Sequence, residues 1–241
     1  MTRLGVRALI VGVGGLGCPA AMALARAGVA VLGLCDDDLV ERTNLHRQML
    51  FDDDDVGRPK VEVAGRALKL RTPDLEVRLH SHRLLPENAI ELVRGYDVVL
   101  EGSDNFATKF LAADACALAE VPVVHASAVR WIGTAMAVGL GGRPCYRCLF
   151  EDVPAGGTPN CAEAGVMGPV VGIVAAIQVD LALALVAGES VAGEVVTFDG
   201  RTDEVRRRSL RPRAGCSLCG GQSPRIREID PDAYASPACA G

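Results

Sequence analysis

Apolar residues fall along this chain in two rhythms. Short unbroken runs, VRALIV at 6–11, VAVLGLC at 29–35, DVVLEG at 97–102 and VPVVHA at 121–126, suit strands buried on both faces. Between them, residues 18–27, 61–70, 86–94 and 105–119 carry helical patterns, and 76–84 alternate like a strand. Gly28 closes the first helix, Thr72-Pro73 breaks the second, and Pro86 suits a first turn. Strand alternating with helix predicts βαβ units and a parallel sheet. After residue 126 the rhythm changes. Strands at 133–140, 195–199 and 205–210 flank a long apolar stretch at 165–188. The expected fold is α/β: a Rossmann-like sheet whose parallel amino-terminal half continues into an antiparallel carboxy-terminal half. No linker interrupts residues 1–221, which read as a single domain. The Pro- and Ala-rich residues 222–241 read as a poorly ordered tail.

Composition narrows the classes. The 241 residues are 49% hydrophobic, enough for one sizeable core, but only 4% aromatic, so Ala, Val, Leu and Gly must do the packing. Net charge is -5, and no basic run is long enough for a nucleic-acid footprint. Arg206-Arg207-Arg208 lies in an expected strand and reads as a solvated face. The stretch 165–188 could span a bilayer by length, yet it holds Gln178 and Asp180 near its middle. An Asp there costs about 2.5–3.5 kcal/mol on insertion scales, so a core helix is the expected reading. The amino terminus has no cleavage-site pattern. Nine cysteines, two C-x-x-C pairs among them, point to a reducing cytoplasm and a metal site.

The chemistry begins at VGVGGLG, residues 11–17, which fits G-x-G-x-x-G between a strand and a helix. Gly12 permits the tight turn, Gly14 lets the backbone approach phosphate, and Gly17 lets helix and strand pack. The helix N-terminus offers unpaired N–H groups to an anion. Asp36, at the end of the second strand, is placed to accept from ribose hydroxyls. A dinucleotide needs no more than this. Asn44, Arg47, Gln48 and Lys60 follow at once, however, and two cations suit a triphosphate. Asp104 and Asn105 follow the fourth strand, at the carboxyl edge where ligands bind. Asp104 could hold magnesium or cap the next helix.

Cys145 and Cys148, with Cys216 and Cys219, are the sharpest signal. Four thiolates suit tetrahedral zinc with no open position, hence a structural ion. The rival, a redox pair, lacks its βαβ context. Cys161 stands apart in a loop before the long helix, as either a candidate nucleophile or an inert thiol. Cys18, Cys35 and Cys116 read as small core residues, and the four histidines form no spaced ligand set.

GVGGLGCPA, CDDD, TNLHRQMLF, VGRPKVE, YDVVLEGSDNFATK, PCYRCLF, NCAEAGVMGPVVGI and GCSLCGG occur in that order. Together they resemble the ThiF–MoeB group, adenylyltransferases of ubiquitin-like sulfur-carrier proteins, from about residue 8 to 221. The resemblance implies ATP and magnesium as cofactors, and transfer of AMP to the terminal glycine of a carrier ending in Gly-Gly. A persulfide donor then supplies sulfur. Gly15 and Asp36 would hold the nucleotide, Asn44, Arg47 and Lys60 the phosphates, and Asp104 the magnesium. Cys161 matches a loop cysteine used by some members in sulfur chemistry. A homodimer is also implied. ASAV at 126–129, TFDG at 197–200 and CSLCGG at 216–221 lean toward the thiamin branch. A molybdopterin-synthase adenylyltransferase and a non-catalytic carrier-binding relative are the alternatives. Members usually carry an arginine before the first strand that reaches into a partner's site. Here Arg3 and Arg7 are the candidates, and Lys109 stands where an arginine is common.

Overall fold

The computed structural model describes residues 4–153, 165–221 and 226–234. Strand β1 (Arg7–Val11) runs through the glycine turn into helix α1 (Gly17–Ala27), then β2 (Val31–Cys35). Helix α2 (Lys60–Arg71), β3 (Glu76–His80), α3 (Ala89–Arg94), β4 (Val98–Glu101) and α4 (Phe106–Leu118) follow. The second half holds β5 (Val123–Val129), β6 (Ile132–Val138), the short α5 (Tyr146–Leu149), the long α6 (Gly168–Val186), β7 (Glu194–Asp199) and β8 (Glu204–Ser209). All eight strands lie in one sheet, ordered β3-β2-β1-β4-β5-β6-β7-β8. Pairings are parallel from β3 to β5 and antiparallel from β5 to β8. The mixed sheet is therefore the one the apolar rhythm predicts, and it has a reversal of strand order between β1 and β4 where ligands gather.

Apolar side chains bury on both sheet faces. One core joins α1, α2 and α6 to the sheet through residues such as Leu24, Leu68 and Val174; the other joins α3 and α4 through Val93 and Phe110. Each such side chain contributes about 1.5–3 kcal/mol. Small residues set the spacing. A Cβ on Gly17 would lie 2.1 Å from the Gly12 carbonyl oxygen, so α1 starts hard against β1. Gly28 ends α1 in the left-handed region at φ 90°, its amide returning to the Leu24 carbonyl.

Helix α6 is long and apolar enough to cross a membrane, but it lies on the sheet with Val170, Val174, Leu181 and Ala182 buried. Gln178, 1% exposed, donates to the carbonyls of Glu101 at 2.9 Å and Val124 at 2.8 Å. Asp180 faces water beside an exposed stripe of Pro169, Ile173 and Ala176.

Several boundaries differ from the sequence reading. Strand β3 stops at His80 rather than 84, and α3 starts at Ala89 rather than at Pro86. Between them Asn88 Oδ1 accepts the Leu85 amide at 2.9 Å, a local bond that competes with extending either element. Strand β5 runs on to Val129 because β6 pairs with it down to Val129–Ile132. Beyond Gly221, residues 226–234 are docked rather than free. The Ile226 amide donates to the Ser217 carbonyl at 3.0 Å, and the buried Tyr234 hydroxyl donates to Asp114 at 2.6 Å. The tail expectation had no periodic pattern to read here. Strand β8, with its three arginines, is exposed along its length, as expected.

Candidate nucleotide cleft and cysteine cluster

The carboxyl ends of the parallel strands open into a cleft of about 810 Å³. That volume lies within the range of small-molecule sites. Its floor is the glycine turn. Gly12 sits at φ +89°, and a Cβ there would be 3.0 Å from the Ser103 amide nitrogen, so only glycine fits between β1 and the loop after β4. Gly14 is different: its only neighbour within 4 Å of an added Cβ is Gln48 Nε2, at 3.7 Å. The backbone at Gly14 thus faces open space, and nothing in the protein alone demands a glycine. Asp36 ties the turn to β2, since Oδ2 accepts the Val13 amide at 2.7 Å and Oδ1 the Asp38 amide at 2.8 Å. Burial raises the pKa of this carboxyl, against the pull of Lys60 and those two amides. Each oxygen keeps a second lone pair, so the predicted ribose contact remains open to it.

The expected phosphate ligands gather on the same cleft but in unequal states. Gly15, Asn44, Arg47, Gln48, Lys60, Asp104 and Asn105 all line it. The Arg47 side chain crosses Gly15, where an added Cβ would lie 3.3 Å from Cδ and 3.2 Å from Val171 Cγ1. Among the described residues Arg47 has no carboxylate partner. Lys60, by contrast, is buried and bound to Asp38 at 2.7 Å, with Asp36 at 3.9 Å. Asn44 donates to Glu41 at 3.1 Å, and Gln48 is buried with Oε1 unpartnered. Asp104 is exposed and makes no hydrogen bond among the described residues, a carboxylate available to a cation. Asn105 caps α4 instead.

Beneath the Asp104 loop lies a network that sequence reasoning missed. Glu101, fully buried at the end of β4, accepts Lys109 Nζ at 2.8 Å and His125 Nδ1 at 3.2 Å. Its other oxygen accepts the Ser103 amide at 2.7 Å and the Ser103 hydroxyl. Burial pushes this carboxyl up, but Lys109 and His125 outweigh it and hold the pKa at about 2. Burial lowers the pKa of His125 against the pull of Glu101. Lys109 also donates to the Ala126 carbonyl at 2.7 Å, so β4, α4 and β5 meet on one ion pair. The signal was a charge inside an apolar run, DVVLEG, followed by Lys109 in an apolar helix. Such a charge needs a partner. Arg83, bound to Asp37 at 2.9 Å, and Leu84 also line the cleft and carried no pattern.

Cys145, Cys148, Cys216 and Cys219 converge, with all four sulfurs within 4.8 Å of one another. Sulfur separations are 3.9 Å for Cys145–Cys148, 3.4 Å for Cys145–Cys216 and 3.3 Å for Cys148–Cys219. A tetrahedral ion with bonds of about 2.3 Å needs edges of about 3.8 Å, so the set could hold zinc with a small expansion. Burial pushes the Cys216 thiol up, but the amides of Cys219 and Leu218 outweigh it and hold it at about 7. Arg147, inside the first pair, forks the buried Asp114 at 2.8–3.1 Å and stacks over Phe110 at 4.8 Å, which pins the cluster to α4. Cys18, Cys35 and Cys116 are buried, and burial pushes their thiols up, those of Cys18 and Cys35 to about 12. Cys161 and Arg3 lie outside the described residues. Arg7 binds Asp97 at 2.6 Å at the amino end of β1, the end of the sheet away from the cleft.

Comparison with known proteins bears on the family and the fold. The family model described as ThiF family matches residues 4–218. The chain is 43% identical over 227 residues to the "Adenylyltransferase and sulfurtransferase MOCS3" of Drosophila sechellia, covering 92% of this chain and 49% of that protein. It is 38% identical over 232 residues to the protein of that name from Aedes aegypti, covering 95% and 53%. The chain thus spans about half the length of these curated relatives. Among solved structures, E. coli MccB with MccA-N7isoASN matches at TM-score 0.79 and 24% identity, covering 90% of this chain and 67% of that one. E. coli MccB with ATP matches at TM-score 0.75 and 24% identity, covering 89% and 67%. At that identity the likeness speaks for the fold. With the family model running from the strand before the glycine turn to residue 218, inside the second cysteine pair, the chain belongs to the ThiF family.

Proposed function

We propose that this protein binds ATP with magnesium in the cleft and adenylates a ubiquitin-like sulfur-carrier protein ending in Gly-Gly. The observation that carries the reading is the placement of Arg47 across Gly15, a cation over the glycine turn with no carboxylate partner among the described residues. A carboxylate oxygen of the carrier's terminal glycine attacks the α-phosphorus, the bond to pyrophosphate breaks, and the acyl-adenylate remains. The nucleophile is already ionised at neutral pH, so no base is needed. The barrier lies in bringing two anions together, which fixed cations lower. Arg47 would fork phosphate oxygens. Lys60 would reach them by exchanging its Asp38 partner. Asp104 would hold the magnesium, and Asp36 the ribose.

The terminal sulfur of a persulfide donor would then displace AMP from the adenylate, leaving an acyl disulfide, and a second thiol, with Cys161 a candidate, would cleave that disulfide to release the thiocarboxylate and leave a disulfide between donor and thiol. That its relatives are named adenylyltransferase and sulfurtransferase supports that pairing of steps. The pathway is thiamin or a related cofactor. A molybdopterin-type carrier is the second reading. The cysteine cluster would hold structural zinc, and the exposed apolar stripe of α6 supports a homodimer. The expected compartment is the cytoplasm.

ATP–pyrophosphate exchange against a panel of Gly-Gly-tailed carriers tests this. Exchange that depends on one carrier, lost in Arg47→Ala and retained in Cys161→Ser, is expected. No exchange with any carrier overturns the reading, and carrier binding without exchange marks a non-catalytic relative.

A further inference from the structure

We propose that His46 is a positioning residue for Arg47, which it holds through an imidazole acceptor. The proposal rests on the reading of the cleft as an ATP site. Two distances fix the tautomer. His46 Nδ1 lies 3.0 Å from the Thr43 carbonyl oxygen, which can only accept, so Nδ1 carries the hydrogen. The lone pair is then on Nε2, which lies 3.4 Å from Arg47 Nη1, a group that can only donate. The Arg47 side chain is held at two points, its Cγ and Cδ packed over Gly15 and its head on His46.

The chemistry of this arrangement differs from that of the other cations on the cleft. Lys60 is bound to Asp38 and Arg83 to Asp37, and each carboxylate cancels the charge it orients. An imidazole acceptor orients Arg47 without cancelling it. The whole positive charge stays available to an anionic ligand. The loop that carries His46 is itself fixed: the His46 carbonyl oxygen lies 2.9 Å from where a Cβ on Gly168 would stand, so α6 begins with glycine to admit it.

Calorimetric titration with magnesium-ATP, without carrier, tests this in wild type, His46→Gln and His46→Leu. Gln keeps an acceptor near Nε2, and His46 is exposed, so neither replacement empties a core position. Leu should weaken binding about tenfold and Gln less than about threefold, the size of one charge-assisted hydrogen bond. Equal affinities for the three proteins, or a Gln variant as weak as the Leu variant, overturn the role of His46. No ATP binding by any of them overturns the cleft reading and this proposal with it.

Discussion

Asn105 caps α4 through Thr108: its Oδ1 accepts the Thr108 amide at 2.8 Å. Asp104, one residue earlier, is thereby left with its carboxylate free of the helix. The two side chains should separate on mutation. Asn105→Ala should cost about 1 kcal/mol of stability, the usual worth of a cap. Asp104→Asn should leave the melting temperature unchanged and abolish the magnesium dependence of exchange. A stability loss in Asp104→Asn as large as that in Asn105→Ala would reverse the assignment.

The glycines of the turn should divide in the same way. A Cβ at Gly17 would meet the Gly12 carbonyl at 2.1 Å, whereas one at Gly14 would meet nothing nearer than 3.7 Å. Gly17→Ala should therefore unfold or strongly destabilise the chain, since it overpacks backbone on backbone. Gly14→Ala should fold with a normal melting curve and bind ATP weakly, because the added methyl occupies phosphate space. Gly15→Val should fold too, but it would displace Arg47 and Val171, at 3.3 and 3.2 Å from the new Cβ, and so raise the KM for ATP. Unchanged ATP affinity in both Gly14→Ala and Gly15→Val would mean that the cradle lies elsewhere.

Glu101 should make the fold sensitive to acid. Its pKa in the folded chain, about 2, is depressed below the ordinary value, so its contribution is complete above about pH 4.5 and is lost as pH falls toward 2. The lowered pKa of His125 acts in the same direction at higher pH, because the unfolded chain takes up that proton first as pH falls. Urea unfolding across this range should show stability falling with acid in wild type. Glu101→Gln should flatten the lower part of that slope. It should also cost about 3–5 kcal/mol at neutral pH, because Lys109 would be left buried without a counter-charge. A Glu101→Gln protein with wild-type stability at pH 7 would dismiss the ion pair as a structural element.

Metal analysis should find about one zinc per chain in protein purified without chelator. Cys145→Ser should lose the metal and lower the melting temperature, with the loosening felt at Tyr234 through Arg147 and Asp114. Metal-free protein that melts with and without chelator at one temperature would exclude a structural ion.

Much of this was legible in the sequence. Unbroken apolar runs locate β1, β2 and β4 because strands covered on both faces leave no polar positions to alternate with. The cleft residues were found because the glycine turn has its own spacing and the cations follow close behind it. What escaped detection depends on partners distant in sequence. Glu101, Lys109 and His125 form a site only when β4, α4 and β5 stand side by side, and no local pattern encodes that. That Lys60 is bound to Asp38 while Arg47 has no carboxylate among the described residues was equally hidden, since both read as surface cations. The docking of residues 226–234 hangs on a single tyrosine meeting a buried aspartate, a contact without periodicity.

Helix α6 leaves Pro169, Ile173 and Ala176 in water on the side turned away from the sheet. The consequence is one of mass action. A pair of copies joined through that stripe would withdraw apolar area from solvent, and only the folded chain presents the stripe in register. The temperature at which the protein melts would then climb with its concentration, and dilution alone would act as a mild denaturant.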